Sequence, residues 1–402
     1  MIDTREELTV ALHEAAELEH GLMIQYLFPA FSMKKRLDEG LSAPQQRSAR
    51  TWQATILRVA VEEMGHLGTV CNLLASIGEG PYLDRPNFPQ RSGYYPFPFD
   101  LVPFSDEALY RMLVFELPQG EPLPPPPRMP APDRLTMDSV AALSAAPDPL
   151  TYDYVGELYG DIADGLRRMD EQELFIGPRS AQVDNSWSVD LDLRQVVDRS
   201  SALAAIEDIV VDGEGSPTER SSSHYGRFAR VRQEYEESGF FAAARPVVVN
   251  PRTRAQRDAP TGGTLLVEER TRRAAELFNG AYGTVLLMLE QFFGSTSETP
   301  EQRAVLRAAT SRMMSVAIRP LAEVLTELPA IGPGSPATAG APFEIYDRES
   351  ASPFASARWT ILLERLQAVI DDAVSLGADI PRVGAVGDTI RYVRRSLAEV
   401  AA

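Results

Sequence analysis

A glutamate and a histidine three residues apart, Glu63 and His66, interrupt an otherwise apolar helical stripe in the first third of the chain. Residues at this spacing project from the same helix face. The rest of that face consists of Ile56, Val59, Val70 and Leu73. Burying a carboxylate and an imidazole is costly unless they are paired or bind a metal. Glu-x-x-His is the spacing with which helical bundles hold dimetal centres, although the motif alone favours a hydrogen-bonded buried pair.

The preceding helix also places a carboxylate at a core position. Glu19 lies where a leucine would be expected, because helical periodicity puts it on an apolar stripe. That stripe consists of Leu8, Leu12, Ala15, Leu22 and Tyr26. His13 and His20 do not share this face, and we expect both to be surface or rim residues.

Two later helical segments offer further candidate ligands. Periodicity leaves Glu157 open between a ligand and a surface residue, because neighbouring aspartates resemble a solvated face. His224 aligns at helical spacing with Phe228 and is predicted to face inward. Glu214 lies between two glycines, where the backbone is free to aim a side chain. Glu207 is the alternative to Glu214, since it shares its face with apolar residues.

Hydrophobic periodicity predicts an all-α protein with two helical domains. The first, residues 1–245, is a helical bundle with a Pro- and Tyr-rich covering loop at 82–149, in which Ser105 caps one short helix. The second, residues 260–402, is an additional C-terminal helical domain. The helices are predicted at about 4–37, 48–77, 105–115, 152–169, 200–211, 265–293, 300–328 and 356–376, with one that begins near 222 and a shorter one near the end.

The amino-acid composition excludes some classes of partner and indicates which metals suit the site. The 402 residues include 39 basic and 57 acidic side chains, so the net charge is −18. Such an acidic chain is a poor ligand for nucleic acid or anionic membranes, and we expect neither partner. The single cysteine, Cys71, and an N-terminus unlike a signal peptide indicate a cytoplasmic protein. Without a second thiolate, oxygen and imidazole ligands favour iron, with manganese as the alternative.

Several segments resemble one known family. They are Leu18-Glu19-His20, Tyr26-Leu27, Glu62-Glu63-Met64-Gly65-His66, Asn72–Gly78, Gly156–Tyr159, Asp212–Gly215 and Ser223–Phe228. In this order they resemble the ferritin-like domain of the iminophenyl-pyruvate dimer synthases, a family named for an enzyme of violacein biosynthesis. The resemblance covers about residues 5–240, and more loosely 265–345.

The resemblance implies a metal site and assigns its ligands. The family's metal-site glutamates and histidines map onto Glu19, Glu63, His66, Glu157, Glu214 and His224. It therefore favours Glu157 as a ligand and prefers Glu214 to Glu207. The sequence departs from the family pattern at two places. Asp212 replaces the family's usual glutamine, and no Thr-Ile-Pro turn follows Glu19. These departures indicate that the substrate differs from that of the namesake enzymes.

The expected function is that of a non-haem, di-iron enzyme that activates dioxygen to oxidise a small molecule derived from an amino acid. In this hypothesis Glu63 bridges both metals, and Tyr26 and Tyr159 hydrogen-bond to ligand side chains. Arg227 is a candidate to pair with a substrate carboxylate, and a surface role is its alternative. The alternatives for the whole chain are oxidative coupling of an imine and a non-catalytic ferritin-like metal-binding protein. The oligomeric state is left open, and a homodimer that forms through the C-terminal helices is one alternative.

Overall fold

The computed structural model of the chain divides into two compact units. The first comprises Met1–Glu79 and Pro89–Arg245, and the second comprises Gly80–Phe88 and Pro246–Ala402. The residues that the structure describes are 1–90, 97–128, 155–185, 187, 191, 193–214, 221–255, 262–294, 297–346 and 351–401.

Two long helices form the centre of the first unit. Helix α1, Arg5–Ser32, begins at a capping box in which Thr4 and Glu7 satisfy each other's backbone N–H groups. Every residue from Leu18 to Ser32 is buried, so this half of α1 is enclosed on all sides. Helix α2, Ala43–Ser76, packs along α1. Helix α1 ends at Ser32, earlier than the predicted 37, because Met33 is already extended.

Shorter helices surround this pair. They are α3 (Asp106–Phe115), α4 (Val155–Arg168), α5 (Glu171–Leu174), α6 (Arg199–Glu214) and α7 (His224–Glu237), with 3-10 turns at Leu37–Glu39 and Arg179–Ala181. Helix α4 packs against α1 and α6, whereas α7 packs against α2, α3 and α6. The bundle therefore brings α1, α2, α3, α4, α6 and α7 around one interior.

The structure describes only part of the loop predicted at 82–149, and its covering role stays a prediction. Residues 80–88 belong to the second unit instead, and residues 91–96 and 129–149 lie outside the described part of the chain. Helix α3 is present, and the Ser105 hydroxyl accepts the backbone N–H of Ala108 as its N-cap.

The second unit is also helical. It contains the parallel strands β1 (Pro251–Arg252) and β2 (Thr264–Leu265), and helices α8 (Glu269–Gly294), α9 (Pro300–Met313), α10 (Arg319–Leu325), α11 (Ala355–Gly377) and α12 (Pro381–Val400). The predicted continuous helix 300–328 is interrupted by a π-helical turn, Met314–Ile318, just before Pro320, whose ring lacks the N–H that a regular helix requires. Helix α12 has 20 residues, which agrees with the shorter helix expected near the end.

The all-α prediction is confirmed. Outside the two-residue strands and isolated bridges, the described residues form helices and connecting segments. None of the described helices is both long enough and apolar enough to cross a membrane.

Candidate metal centre

Glu63 lies between two histidines in the interior of the first unit. Its Oε2 is 3.0 Å from Nδ1 of His66, and its Oε1 is 2.8 Å from Nδ1 of His224. The two imidazole rings are nearly parallel, with centroids 5.4 Å apart. All three side chains are buried. Because each carboxylate oxygen faces a different histidine, Glu63 is placed to bridge two neighbouring cations.

The first potential ligand group consists of Glu19, Glu63 and His66, each offering an atom within 4.8 Å of the others. Helix α1 supplies Glu19, whose Oε2 is 3.6 Å from Nδ1 of His66. The Tyr159 hydroxyl, from α4, donates a hydrogen bond to the other oxygen of Glu19. The tyrosine therefore fixes the carboxylate and leaves Oε2 turned towards the histidine.

The second group consists of Glu63, Glu116 and His224, under the same 4.8 Å limit. Glu116 Oε1 is 3.5 Å from Nδ1 of His224 and accepts a hydrogen bond from the Tyr26 hydroxyl. Sequence reasoning missed Glu116, which follows the last residue of α3. The signal was present, since Glu116 continues the buried positions Leu109 and Met112 at helical spacing.

Several buried atoms of these groups have no hydrogen-bond partner among the described residues. They are Glu19 Oε2, His66 Nε2 and both ring nitrogens of His224. The short approach of His224 to Glu63 lacks the geometry of a hydrogen bond. Buried polar atoms are normally satisfied, and orphans of this kind call for an ion or water. Carboxylate oxygens and imidazole nitrogens are ligands that suit iron and manganese, so the residues fit such a metal.

Burial and charge within the cluster raise the pKa values of some of its groups and lower those of others. Burial acts to lower the pKa of His66 and of His224, but the Glu63 charge and the other carboxylates beside each ring together outweigh it and raise both pKa values well above their usual range. Burial acts to raise the pKa of Glu63, but the two histidines lower it. Burial and the nearby Glu63 charge raise the pKa of Glu19 to about 7. Protons on the imidazoles thus take the place of cations when no metal is bound.

Arg227 contacts a protein carboxylate beside the cluster. Its Nη2 is 2.6 Å from Oε2 of Glu62, which also lies 3.2 Å from Nε2 of His224. Burial alone would raise the pKa of Glu62, but His224 and Arg227 lower it to about 2. Arg227 thus forms an ion pair with Glu62, and its pairing with a substrate carboxylate stays a prediction.

The remaining sequence candidates are placed differently. Glu157, on α4, is partly exposed and belongs to neither ligand group. Glu214 is the last residue of α6, and its side chain lies outside the described part of the structure. Glu207 is exposed on the same helix and belongs to neither ligand group. His13 is partly exposed, but His20 is fully buried, which corrects the expectation of a surface or rim histidine.

A small cavity of about 30 Å³ adjoins the cluster. Its walls include Glu19, Glu63, His66, Glu116 and Tyr159. A cavity of this size can hold a water molecule. Helix α6 also comes close at Gly213, where a Cβ would lie 3.0 Å from Oε2 of Glu116. Among the described residues, the space beside the cluster therefore suits a water or a diatomic molecule.

Comparisons with known proteins agree with this architecture. The family model described as Ferritin-like matches residues 12–233. Dichlorochromopyrrolate synthase of Lentzea aerocolonigenes is 28% identical over 88% of this chain and 37% of its own length. A 2-imino-3-(indol-3-yl)propanoate dimerase of Chromobacterium violaceum is 27% identical over 82% of this chain and 33% of its own. The chain thus spans about a third of the length of these relatives.

One solved structure shares the fold. The crystal structure of a ferritin-like protein from Caulobacter vibrioides superposes with a TM-score of 0.50 and 18% identity. The superposition covers 78% of this chain and 95% of that protein.

Proposed function

This chain belongs to the ferritin-like family, and we propose that it is a non-haem metalloenzyme that oxidises a small molecule derived from an amino acid. The metal that we propose first is a pair of iron ions. The observation that carries the proposal is the pair of ligand groups sharing Glu63. A carboxylate common to two groups is the arrangement with which ferritin-like bundles hold two metals. The proposed partners are dioxygen and the small-molecule substrate.

The names of the relatives support a biosynthetic and oxidative role. One is a synthase of dichlorochromopyrrolate and the other a dimerase of an indolyl imino acid. Oxidative coupling of an amino-acid-derived imine is therefore the second candidate reaction. The relatives extend well beyond the matched region. For this chain we therefore propose the substrate class of the relatives and not their complete reactions.

Bound iron or manganese would supply the electron transfer that activates dioxygen. Glu63 presents one oxygen to each group, while Glu19 with His66 and Glu116 with His224 complete them. Tyr159 and Tyr26, both buried, orient Glu19 and Glu116 by hydrogen bonds. The Glu62–Arg227 ion pair lies against the outer nitrogen of His224 and restrains that ring.

The test is anaerobic titration of metal-free protein with Fe(II), followed by rapid mixing with dioxygen. We expect about two equivalents of iron per chain, one for each group, and transient absorption after mixing without substrate. Glu207→Gln, an exposed change on α6, is the matched control and should load like the parent protein.

Three outcomes would contradict the proposal. If the protein takes up no iron under these conditions, the cluster is a hydrogen-bonded core. If iron binds but does not react with dioxygen, the centre is a passive binder. If uptake continues far beyond two equivalents as iron oxidises, the protein is a storage protein rather than an enzyme.

A further inference from the structure

A second cavity lies entirely within the second unit and shares no residue with the metal centre. Its volume is about 240 Å³. It lies beside α8, the segments 83–84 and 253–254, and residues 344–346 that precede α11. Pockets that bind small molecules begin at roughly 300 Å³, so this cavity suits a ligand of a few heavy atoms.

A buried carboxylate, Glu344, lines this cavity with 5% of its surface exposed. Three hydrogen bonds reach one of its oxygens, Oε2. Thr253 donates its backbone N–H at 3.0 Å and its hydroxyl at 2.7 Å, and Asn279 donates its amide at 2.9 Å. The Asn279 carbonyl oxygen in turn accepts the backbone N–H of Glu344. These bonds hold the carboxylate rigidly, and the Tyr346 hydroxyl lies beside it as well. Because all three go to Oε2, they leave lone pairs of Oε1 for a ligand.

The charges around the cavity favour a cation. Four acidic and two basic side chains line it, which gives a net charge of −2. They are Asp84, Glu276, Glu290, Glu344, Arg254 and Arg365. These carboxylates do not converge as metal ligands, because the metal-sized groups among the described residues are the two in the first unit. An organic cation suits the wall better than a metal ion.

The cavity also has an apolar part. Leu83, Leu286 and Ile345 belong to its wall. The guanidinium of Arg254 lies 4.0 Å from the ring centroid of Tyr346, and this cation–π contact holds the aromatic side chain in place. A ligand that carries its charge at one end and an alkyl body at the other would match both parts.

Two glycines of α8 keep the space open. A Cβ at Gly283 would meet no atom within 4 Å, and one at Gly280 would meet only Val369 at an ordinary 3.8 Å. Neither glycine has the positive φ that would require it. Glycine within a helix costs stability relative to alanine. Since neither packing nor backbone conformation explains these residues, retained volume does.

We propose that the second unit contains its own small-molecule site, which binds a small primary ammonium compound with Glu344 as the anchor for the ammonium group. Desolvated within the cavity, an N–H donor on a cation forms a charge-assisted hydrogen bond to Oε1. The alkyl body lies against the leucine and isoleucine side chains. This site is independent of the metal centre and of its proposed reaction.

The test compares three probes of one size by isothermal titration calorimetry on the full chain. They are n-butylammonium, n-butanol and n-butyrate. We expect the ammonium to bind at least about tenfold more tightly than the alcohol, as a charged hydrogen bond should, and butyrate not to bind. Equal affinity for the ammonium and the alcohol, or no binding of the ammonium, would overturn the proposal.

Variants locate the site. Glu344→Gln, which keeps an acceptor for Thr253 and Asn279, should weaken binding of n-butylammonium by at least about tenfold. Gly283→Leu fills the cavity and should abolish binding although Glu344 is intact. The matched control is Glu276→Gln, since Glu276 lines the cavity but is paired with Arg272 at 2.6 Å.

The readouts separate this proposal from the metal centre. Each variant is checked by circular dichroism, and its iron content should equal that of the parent. If Glu344→Gln and Gly283→Leu both fold and still bind the ammonium unchanged, the proposal is wrong. Iron binding is then unaffected, because no ligand of the metal centre has been altered.

Discussion

The two units of this protein each bury carboxylates, but they satisfy them differently. In the first unit, Glu19 and Glu63 face two imidazoles, and three of the four ring nitrogens lack a hydrogen-bond partner among the described residues, around a cavity of 30 Å³. In the second unit, Glu344 is held by three donors beside a cavity of 240 Å³. Orphaned ligand atoms in a tight space indicate a metal, whereas a satisfied carboxylate beside open volume indicates an organic ligand.

The largest expected effect comes from changing the shared carboxylate. Glu63→Gln removes the charge common to both ligand groups, so bound iron should fall from about two equivalents to near zero. The measurement is iron per chain after anaerobic loading and desalting. Glu344→Gln is the matched control, because it removes a buried carboxylate of the other unit and should leave iron content unchanged. Full loading of folded Glu63→Gln would show that the centre is built from other residues.

A smaller effect distinguishes the candidate ligand Glu116, which the structure places in the cluster, from Glu157, which the family resemblance implies. Glu116→Gln should remove about one of the two iron equivalents, because Glu116 belongs to only one group. Glu157→Gln should leave the content unchanged, because Glu157 belongs to neither. The same desalted iron measurement decides between them. The reverse result would restore the assignment that the resemblance implies and remove Glu116 from the site.

The part of the site that could be predicted is the part set by local periodicity. Glu19, Glu63, His66 and His224 each occupy a buried stripe of their own helix, and a stripe can be read from a few turns of sequence. Glu116 carries a weaker signal of the same kind. It follows a helix of only ten residues inside a Pro- and Tyr-rich segment, and its partners come from other helices.

The fold shows the same division between local and long-range information. Helix α3 was predicted with its cap because Ser105 and the residues after it form a local signal. The assignment of residues 80–88 to the second unit depends on tertiary packing. The same holds for the second cavity, since Asn279 and Glu344, which meet there, are 65 residues apart. No periodic pattern encodes such a contact.

The pH dependence of the metal-free protein tests the charge balance of the first unit. His66 and His224, with raised pKa values, stabilise the fold below their unfolded pKa of about 6.5, and this contribution is lost as pH rises through the folded values. Glu63, with a lowered pKa, contributes above about pH 4.5 and loses its contribution as pH falls. Glu19 has a pKa raised to about 7. The fold therefore loses stability as pH rises from the pKa that Glu19 has in the unfolded chain.

Together, these pKa shifts predict that the metal-free protein is most stable at mildly acidic pH, near 5, and becomes less stable towards pH 8. Melting temperatures of metal-free protein across this range measure it. Iron should stabilise the protein more as pH rises, because binding requires neutral imidazoles and ionised carboxylates. A metal-free protein whose melting temperature rises steadily up to pH 8 would contradict the arrangement of charges around Glu63.

The smallest expected effect is a pair of glycine substitutions with opposite signs. At Gly21 on α1, a Cβ would lie 2.8 Å from the buried ring of Phe99, so Gly21→Ala should destabilise the first unit by about 1–3 kcal/mol. At Gly283 a Cβ meets nothing, so Gly283→Ala should stabilise the second unit by about 0.5–1 kcal/mol. Urea unfolding of both variants measures the difference, with Gly280→Ala as a second open position. A loss of stability at Gly283 would mean that the cavity is needed by the fold, whereas a gain leaves ligand volume as the reason for its glycine.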